Sequence, residues 1–317
     1  MNRFRFQTRR IARQALVNVL PAPSSPEKVI AITGLPRSGT SWTAKVLALS
    51  DRVSYYFEPE LVLGSEFRYI YIEPDKKNAP LYENINQTIR GRITDEYTIC
   101  EHGLKEILTR SFRDRVLIKW VRLSLSLDWI ASSFPGVKLI QIIRHPVPLF
   151  LSWDRKNWDP SYALNQLLDQ ETLMAGPLKK YKDIMEGAGS YWEKAAAFWC
   201  AVTYMKLLCH RKDWLFIEHE WLCLDPVPRF KWLADKIGFP WNDRMEEFLS
   251  PQRRIESGPG YGKSRDSGKE VHKWEKKIRA NELREIQWVM DQFGLPFYKN
   301  LDPEQCCTEA LNGGGER

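Results

Sequence analysis

The sequence has no long apolar run. Its longest uncharged apolar stretch, AAAFWCAVTYM at residues 195–205, is bounded by Lys194 and Lys206. A membrane helix needs roughly 20 such residues, so a spanning segment is not expected. The opening residues, MNRFRFQTRRIARQALVNVLPAPSSP, are basic and lack an apolar secretory core. The expectation is a cytoplasmic protein, with a luminal enzyme lacking its anchor as the open alternative. Cysteine is scarce too. Six in 317 residues, with no C-x-x-C pair, give neither a disulfide framework nor the usual zinc spacing. Cys100, Cys200, Cys209 and Cys223 lie in apolar contexts, as buried reduced thiols do.

What is present describes an ordinary globular enzyme, with 43% hydrophobic and 27% charged residues. The net charge of +7 suits an anionic ligand, a membrane surface or a nucleic acid, and selects none of them alone. Residues 1–28 read as a basic helix and a Pro/Ser linker. Arg3, Arg5, Arg9, Arg10 and Arg13 could touch a membrane surface there. The main domain is expected over residues 29–300, and a flexible C-terminal tail over 301–317. Strands are predicted at 29–33, 52–60, 115–122, 137–146 and 214–220, each a short apolar run. Helices are predicted at 41–49, 190–210, 226–238 and 282–293. Gly238 and Pro240 stop the third of these, and Gly294 and Pro296 stop the fourth. Strands alternating with helices imply an α/β fold, a central parallel β-sheet flanked by helices. Residues 257–274, SGPGYGKSRDSGKEVHKW, read as a mobile basic lid.

The chemistry begins at TGLPRSGTSW, residues 33–42. Gly34 and Gly39 keep the glycine spacing of a phosphate-binding loop, and a strand and a helix flank it as they should. The usual lysine is absent. Thr40 occupies its position, and the cation is Arg37. A magnesium-binding acid at another strand end is not evident either. Strand 137–143 ends in Arg144-His145, and strand 52–57 ends in Glu58, an acid on the strand directly after the loop helix. The loop therefore reads as an anion cradle made of backbone N–H groups, a helix N-terminus and the hydroxyls of Ser38, Thr40 and Ser41, with Arg37 adding charge. A second motif, RHPVPLFLS, places Arg144 after a strand and Ser152 eight residues on, where they can grip another phosphate.

In this order, the two motifs resemble those of the sulfotransferases that use 3′-phosphoadenosine 5′-phosphosulfate (PAPS). GLPRSGTSW resembles their 5′-phosphosulfate loop and RHPVPLFLS their 3′-phosphate motif. The loop arginine is closer to the carbohydrate and tyrosyl-protein branches than to the cytosolic small-molecule branch. The resemblance implies a P-loop-like sulfotransferase fold. It implies PAPS as co-substrate with 3′-phosphoadenosine 5′-phosphate (PAP) as product, and no metal. The donor-binding residues it implies are Arg37, Ser38, Gly39, Thr40, Ser41, Trp42, Arg144 and Ser152. IEHEWLCLDP (217–226) is similar to a family segment in which a tyrosine lies near the adenine, and His219 stands at that position. In the lid, Lys263, Arg265, Lys269 and Lys273 could close over the 3′-phosphate.

A base must take the acceptor's proton. Phe57-Glu58-Pro59 matches the segment that holds the glutamate base of the carbohydrate branch, so the resemblance implies Glu58, with Glu60 as fallback. Glu58 is expected beside the first strand's loop, either as the base or as a partner of Arg37. The cytosolic branch uses a histidine in a K-x-H segment. The matching IKWVRL has none, which leaves Lys119 to reach the sulfuryl group or to snorkel. His145 reads as structural. Trp153 and Trp158 could stack on a sugar or pack in the core. The expected partner is a small-molecule or glycan acceptor rather than a nucleic acid. A P-loop small-molecule kinase and a non-catalytic binder of anionic polymers are the alternatives.

Overall fold

The computed structural model describes residues 25–92, 112–250, 271–304 and 308–312, with a few isolated positions outside these spans. The five apolar runs become strands: β1 (Val29–Thr33), β2 (Val53–Phe57), β3 (Arg115–Trp120), β4 (Lys138–Ile143) and β5 (Leu215–Glu218). Between and after them lie α1 (Thr40–Leu47), α2 (Ala79–Ile89), α3 (Leu127–Ser133), α4 (Pro146–Asp154), α5 (Pro160–Leu168), α6 (Tyr191–Leu208), α7 (His219–Leu224), α8 (Pro226–Lys236), α9 (Ala280–Phe293) and α10 (Thr308–Leu311). All four strand pairings are parallel, in the order β2-β3-β1-β4-β5. β2 does not lie beside β1, because β3 returns between them and pairs with both.

Successive strand residues point to opposite faces, and both faces are buried. Val29 and Ala31 join a core with α2 and α3, built on Leu81, Ile85, Trp129 and Ile130. Ile30 and Ile32 join the opposite core, against Ala44 and Val46 of α1 and Phe230 and Leu233 of α8. A third core holds α4, α5, α6 and α9 together beyond the sheet. At its centre is α6, buried on every side from Ala195 to Val202. That burial explains the sequence's longest apolar run, since a helix apolar all round belongs in a core as readily as in a membrane. Among the described residues no helix is long and apolar enough to cross a membrane.

The described part of the expected tail is docked. Thr308 is fully buried, accepts from the Glu218 amide at 3.0 Å and donates its own amide to the Glu218 carboxylate at 2.9 Å. Asn312 pairs with both backbone groups of Phe216, at 2.9 and 2.8 Å. The segment thus satisfies the open side of edge strand β5, which would otherwise present unpaired backbone.

The start of α6 carries a capping box. Ser190 Oγ accepts from the Glu193 amide, and the Glu193 carboxylate accepts from the Ser190 amide. The hydroxyl also donates to Glu285 of α9 at 2.6 Å. Ser190→Ala should cost about 1 kcal/mol of stability, from the lost cap, read as a shift in urea midpoint with an unchanged slope. An unshifted midpoint would show that the cap does not secure α6.

Candidate active site

The site lies at the C-terminal ends of the parallel strands, where the chain leaves β1 toward β2 on one side and, after β3, crosses to β4 on the other. Such a switch point opens a crevice. β1 pairs with β4, Thr33 facing Gln141. The glycine loop after β1 and the Arg144 segment after β4 are therefore neighbours, so the sheet order brings the two anion motifs together.

The loop's shape depends on small residues. A Cβ at Gly34 would lie 2.5 Å from Ser38 Oγ and 2.8 Å from the Ile142 carbonyl oxygen, so only glycine fits. Arg37 and Gly39 both adopt left-handed backbone, at φ 74° and 95°. For arginine that conformation is strained. Three bonds strap the strained turn to the Arg144 segment. Arg144 Nη1 donates to the Arg37 carbonyl at 2.8 Å, and Trp153 Nε1 donates to the Pro36 carbonyl at 2.9 Å. Arg37 Nε donates to Ser152 Oγ on α4 at 3.0 Å.

Arg144 is itself braced. Its carbonyl accepts from Trp199 Nε1 at 3.0 Å, and Glu220 lies 3.9 Å from its Nε. Tyr298 Oη donates to Glu220 at 2.6 Å, and the His145 amide also donates to it. Burial raises the Glu220 pKa, and the Arg144 charge opposes that shift. Ser38 and Thr40 are buried in the loop, and Ser38 Oγ lacks a hydrogen-bond partner. Ser41 opens the first turn of α1 beside them. That end of a helix leaves amide N–H groups without intrahelical partners, which favours an anion. Trp42 packs edge-on against Phe230 and the His219 ring.

On the other side of β1, Lys119 pairs in register with Ile32, and Phe57 of β2 pairs with Lys119. Lys119 is 3% exposed, forms an ion pair with Glu58 and lies over the Phe57 ring, 4.1 Å from its centroid. It is a buried partner of Glu58 rather than a snorkelling lysine. Glu58 has left-handed backbone at φ 45°, and its amide donates to the Lys119 carbonyl at 2.9 Å. Glu60 turns inward and accepts from the Val121 and Arg122 amides at 2.9 and 3.3 Å. Burial and the neighbouring Glu58 charge push its pKa up to about 7.

His219, at the start of α7, sits under the loop. A Cβ on Gly39 would lie 2.2 Å from its Nδ1, and Cys223 Sγ lies 3.4 Å from its Nε2. Burial and Arg144 hold its pKa well below the ordinary value, so the ring is neutral. His145 is structural, as expected. It stacks on Trp274 at 4.7 Å, its Nε2 lies 3.0 Å from the Leu301 carbonyl oxygen, and burial lowers its pKa to about 3. Trp153 is buried, whereas Trp158 is exposed. Lys263, Arg265 and Lys269 lie outside the described residues. Sequence reasoning missed Glu220, Trp199, Tyr298 and Lys206. Only Glu220 carried a signal, as the second acid of IEHE beside a candidate histidine.

A model of the sulfotransferase family matches residues 29–243. The chain belongs to that family. The match covers all five strands and every strap residue of the loop. Among solved structures, a mouse sulfotransferase complexed with PAP is 15% identical, with 94% of each chain covered and a TM-score of 0.47. The sulfotransferase domain of a Synechococcus olefin synthase is also 15% identical, over 87% of this chain and 98% of that one, with a TM-score of 0.48. A sulfotransferase domain from the curacin biosynthetic pathway is 14% identical, over 86% of this chain and 98% of that one, with a TM-score of 0.46. No curated protein matches the chain in sequence.

Two predictions follow from this geometry. Gly39→Ala combines a disfavoured φ with collision against His219, and should cost roughly 2–4 kcal/mol. Adding His219→Ala should recover part of that loss in urea denaturation, because it removes the collision and leaves the backbone strain. The second concerns Glu60, whose folded pKa of about 7 lies above its ordinary 4.5. The folded protein then holds a proton that the unfolded chain has released, so this group's contribution to stability falls as pH rises from about 4.5 to 7. Glu60→Gln should flatten that fall in a series of urea midpoints, and an unchanged pH profile would contradict the assignment.

Proposed function

We propose that this sulfotransferase takes its sulfuryl group from PAPS and delivers it to a hydroxyl, or an amine, of a carbohydrate, glycolipid or small metabolite. The observation that carries the reading is the strap. Arg37, Arg144 and Ser152 are tied together by hydrogen bonds at the ends of β1 and β4, so a donor with two separated anionic ends would meet cations and hydroxyls at both. The glycine cradle and the unpartnered Ser38 hydroxyl fit such a ligand. Arg37, Ser38, Gly39, Thr40 and Ser41 hold the 5′ end, with Trp42 bracing the helix behind them. Arg144 and Ser152 hold the 3′-phosphate. His219 lies under the loop as a neutral ring that adds no charge to either anion.

Transfer is in line. As the S–O bond to the donor phosphate breaks, negative charge gathers on the leaving phosphate oxygen, where Arg37 and the loop amides stabilise it. The acceptor oxygen forms the new S–O bond and loses its proton to Glu58. Lys119, between Glu58 and β1, keeps the carboxylate aimed and offers a positive charge to the sulfuryl oxygens. Glu60 is less suited as base, because one of its oxygens is engaged by two strand-end amides.

The test is transfer of ³⁵S from labelled PAPS to pools of glycans, glycolipids and small metabolites. Glu58→Gln should reduce transfer about 10²–10⁴-fold, the range for loss of a general base, and leave PAP binding nearly unchanged. Arg144→Ala should weaken PAP binding by about 10–100-fold, the value of a charge-assisted contact. Tight Mg²⁺-dependent ATP binding without PAP binding would instead mark a kinase, and undiminished transfer by Glu58→Gln would remove the base.

A further inference from the structure

Lys206 has no part in this scheme, yet its burial needs a reason. It lies on α6, in a helix whose buried length is otherwise uncharged, and is 1% exposed. Among the described residues no carboxylate pairs with it. Its Nζ donates to the Ile142 carbonyl at 3.1 Å. That same oxygen is the one a Cβ on Gly34 would meet at 2.8 Å. The lysine head therefore lies one carbonyl behind the first glycine of the loop. Beside it is a cavity of about 10 Å³, lined by Ser38, Arg144, Thr203 and Lys206 among apolar neighbours. That is about the size of one water. Ser38 Oγ, the loop hydroxyl without a protein partner, is on the cavity wall.

An ammonium buried without a counter-charge is costly, and burial lowers the Lys206 pKa to about 7. The other charged or titratable groups facing this region are Arg144, on the cavity wall, and Cys209, one turn along α6. From β4, α4 and the loop the remaining wall residues, Ile142, Ile143, Leu149, Leu35 and Ser38, do not titrate. Arg144 repels a second cation, and its own charge faces the Glu220 carboxylate at 3.9 Å. What would favour charge on Lys206 is an anion on the far side of Gly34 and Ser38.

We infer that Lys206 is a positioning residue behind the loop, and that its amine takes up a proton from solvent when the loop binds the 5′-phosphate end of PAP or PAPS. The inference rests on the donor site proposed above. In the free protein the neutral amine can still donate to Ile142. With the anion in place, the ammonium attracts it through the loop and holds the Ser38 side of the cradle toward it. Because a bound anion raises the lysine pKa, affinity for PAP falls as pH rises past about 7.

Calorimetric titration of the full chain with PAP, in pairs of buffers of different ionisation enthalpy, measures the proton directly. At pH 8 the PAP phosphates are ionised, and the wild-type protein should take up about half a proton or more. Lys206→Met should lose that uptake. It should also bind PAP about tenfold more weakly at pH 8, as expected for a pKa raised by about two units, and the deficit should be larger at pH 6 than at pH 9. A Met variant that binds with wild-type uptake overturns the inference and leaves the donor site standing. Absence of PAP binding by the wild-type protein overturns the donor site and the inference with it. Should the variant fail to fold, the ¹⁵Nζ resonance of Lys206 in the wild-type protein decides. It should titrate near pH 7 when free and at higher pH with PAP, and a titration that PAP does not move overturns the proposal.

Discussion

The site depends on one mechanical fact: a strained loop is tied to the next motif by its own carbonyls. Arg37 sits in left-handed backbone without the freedom of glycine, at a cost on the order of 1–3 kcal/mol. The compensation is local. Arg144 and Trp153 donate to the carbonyls of residues 37 and 36, and the first of these bonds is charge-assisted. A charged donor contributes about 1.5–3 kcal/mol, comparable to the strain. The loop can therefore hold its turn without a bound anion, and the anion does not have to organise it. The same bonds make the spacing between the two anion motifs a property of the frame, because β1 and β4 are adjacent strands and Trp199 and Glu220 fix Arg144 from behind.

Around this frame, charges are buried at the strand ends more densely than stability alone would favour. Lys119, Glu60, Glu220 and Lys206 are buried within one end of the sheet, with the half-buried Glu58 paired to Lys119. Each costs desolvation, and buried pairs seldom repay it in full. Their arrangement divides the work. Lys119 is paired and so stays in place. Glu60 and Glu220 are hydrogen-bonded to backbone or tyrosine, while Lys206 has only a carbonyl. Burial moves the pKa values of Glu60, Glu220 and Lys206, and groups perturbed in this way gather where chemistry is done. Here they flank the loop on both sides, with Lys119 beyond β1 toward β2 and Lys206 behind β4.

Much of this was legible because it is local. The five strands are short apolar runs, and both phosphate-type motifs follow such runs immediately, so composition and glycine spacing were enough. Strand order was not legible. Whether β2 lies beside β1 depends on how the 59–114 connection crosses the sheet, and no residue near Glu58 records that. The partner of Lys119 was not legible for the same reason, since it is β3, between β1 and β2, that carries Lys119 to Glu58. The inward turn of Glu60 is equally non-local, set by amides 61 and 62 positions away. The apolar helix α6 hid Lys206 for the opposite reason. A lysine at the end of an apolar run reads as its boundary, and only the packing of α6 against β4 makes it part of the interior.

The position of the loop cation gains meaning from the same geometry. A lysine's ammonium is a compact head on a flexible stem, whereas a guanidinium is a rigid plane with five N–H donors along several edges. Arg37 uses Nε for Ser152, on a helix that starts from the neighbouring strand. Its two terminal nitrogens face other directions by the geometry of the fork. One side chain can then bridge the helix that carries Ser152 and the loop between β1 and α1. A lysine at this position could engage Ser152 only by committing the whole head to it. The arginine is therefore suited to a loop already strapped to the neighbouring helix, because it engages that helix without committing its whole charged head to it.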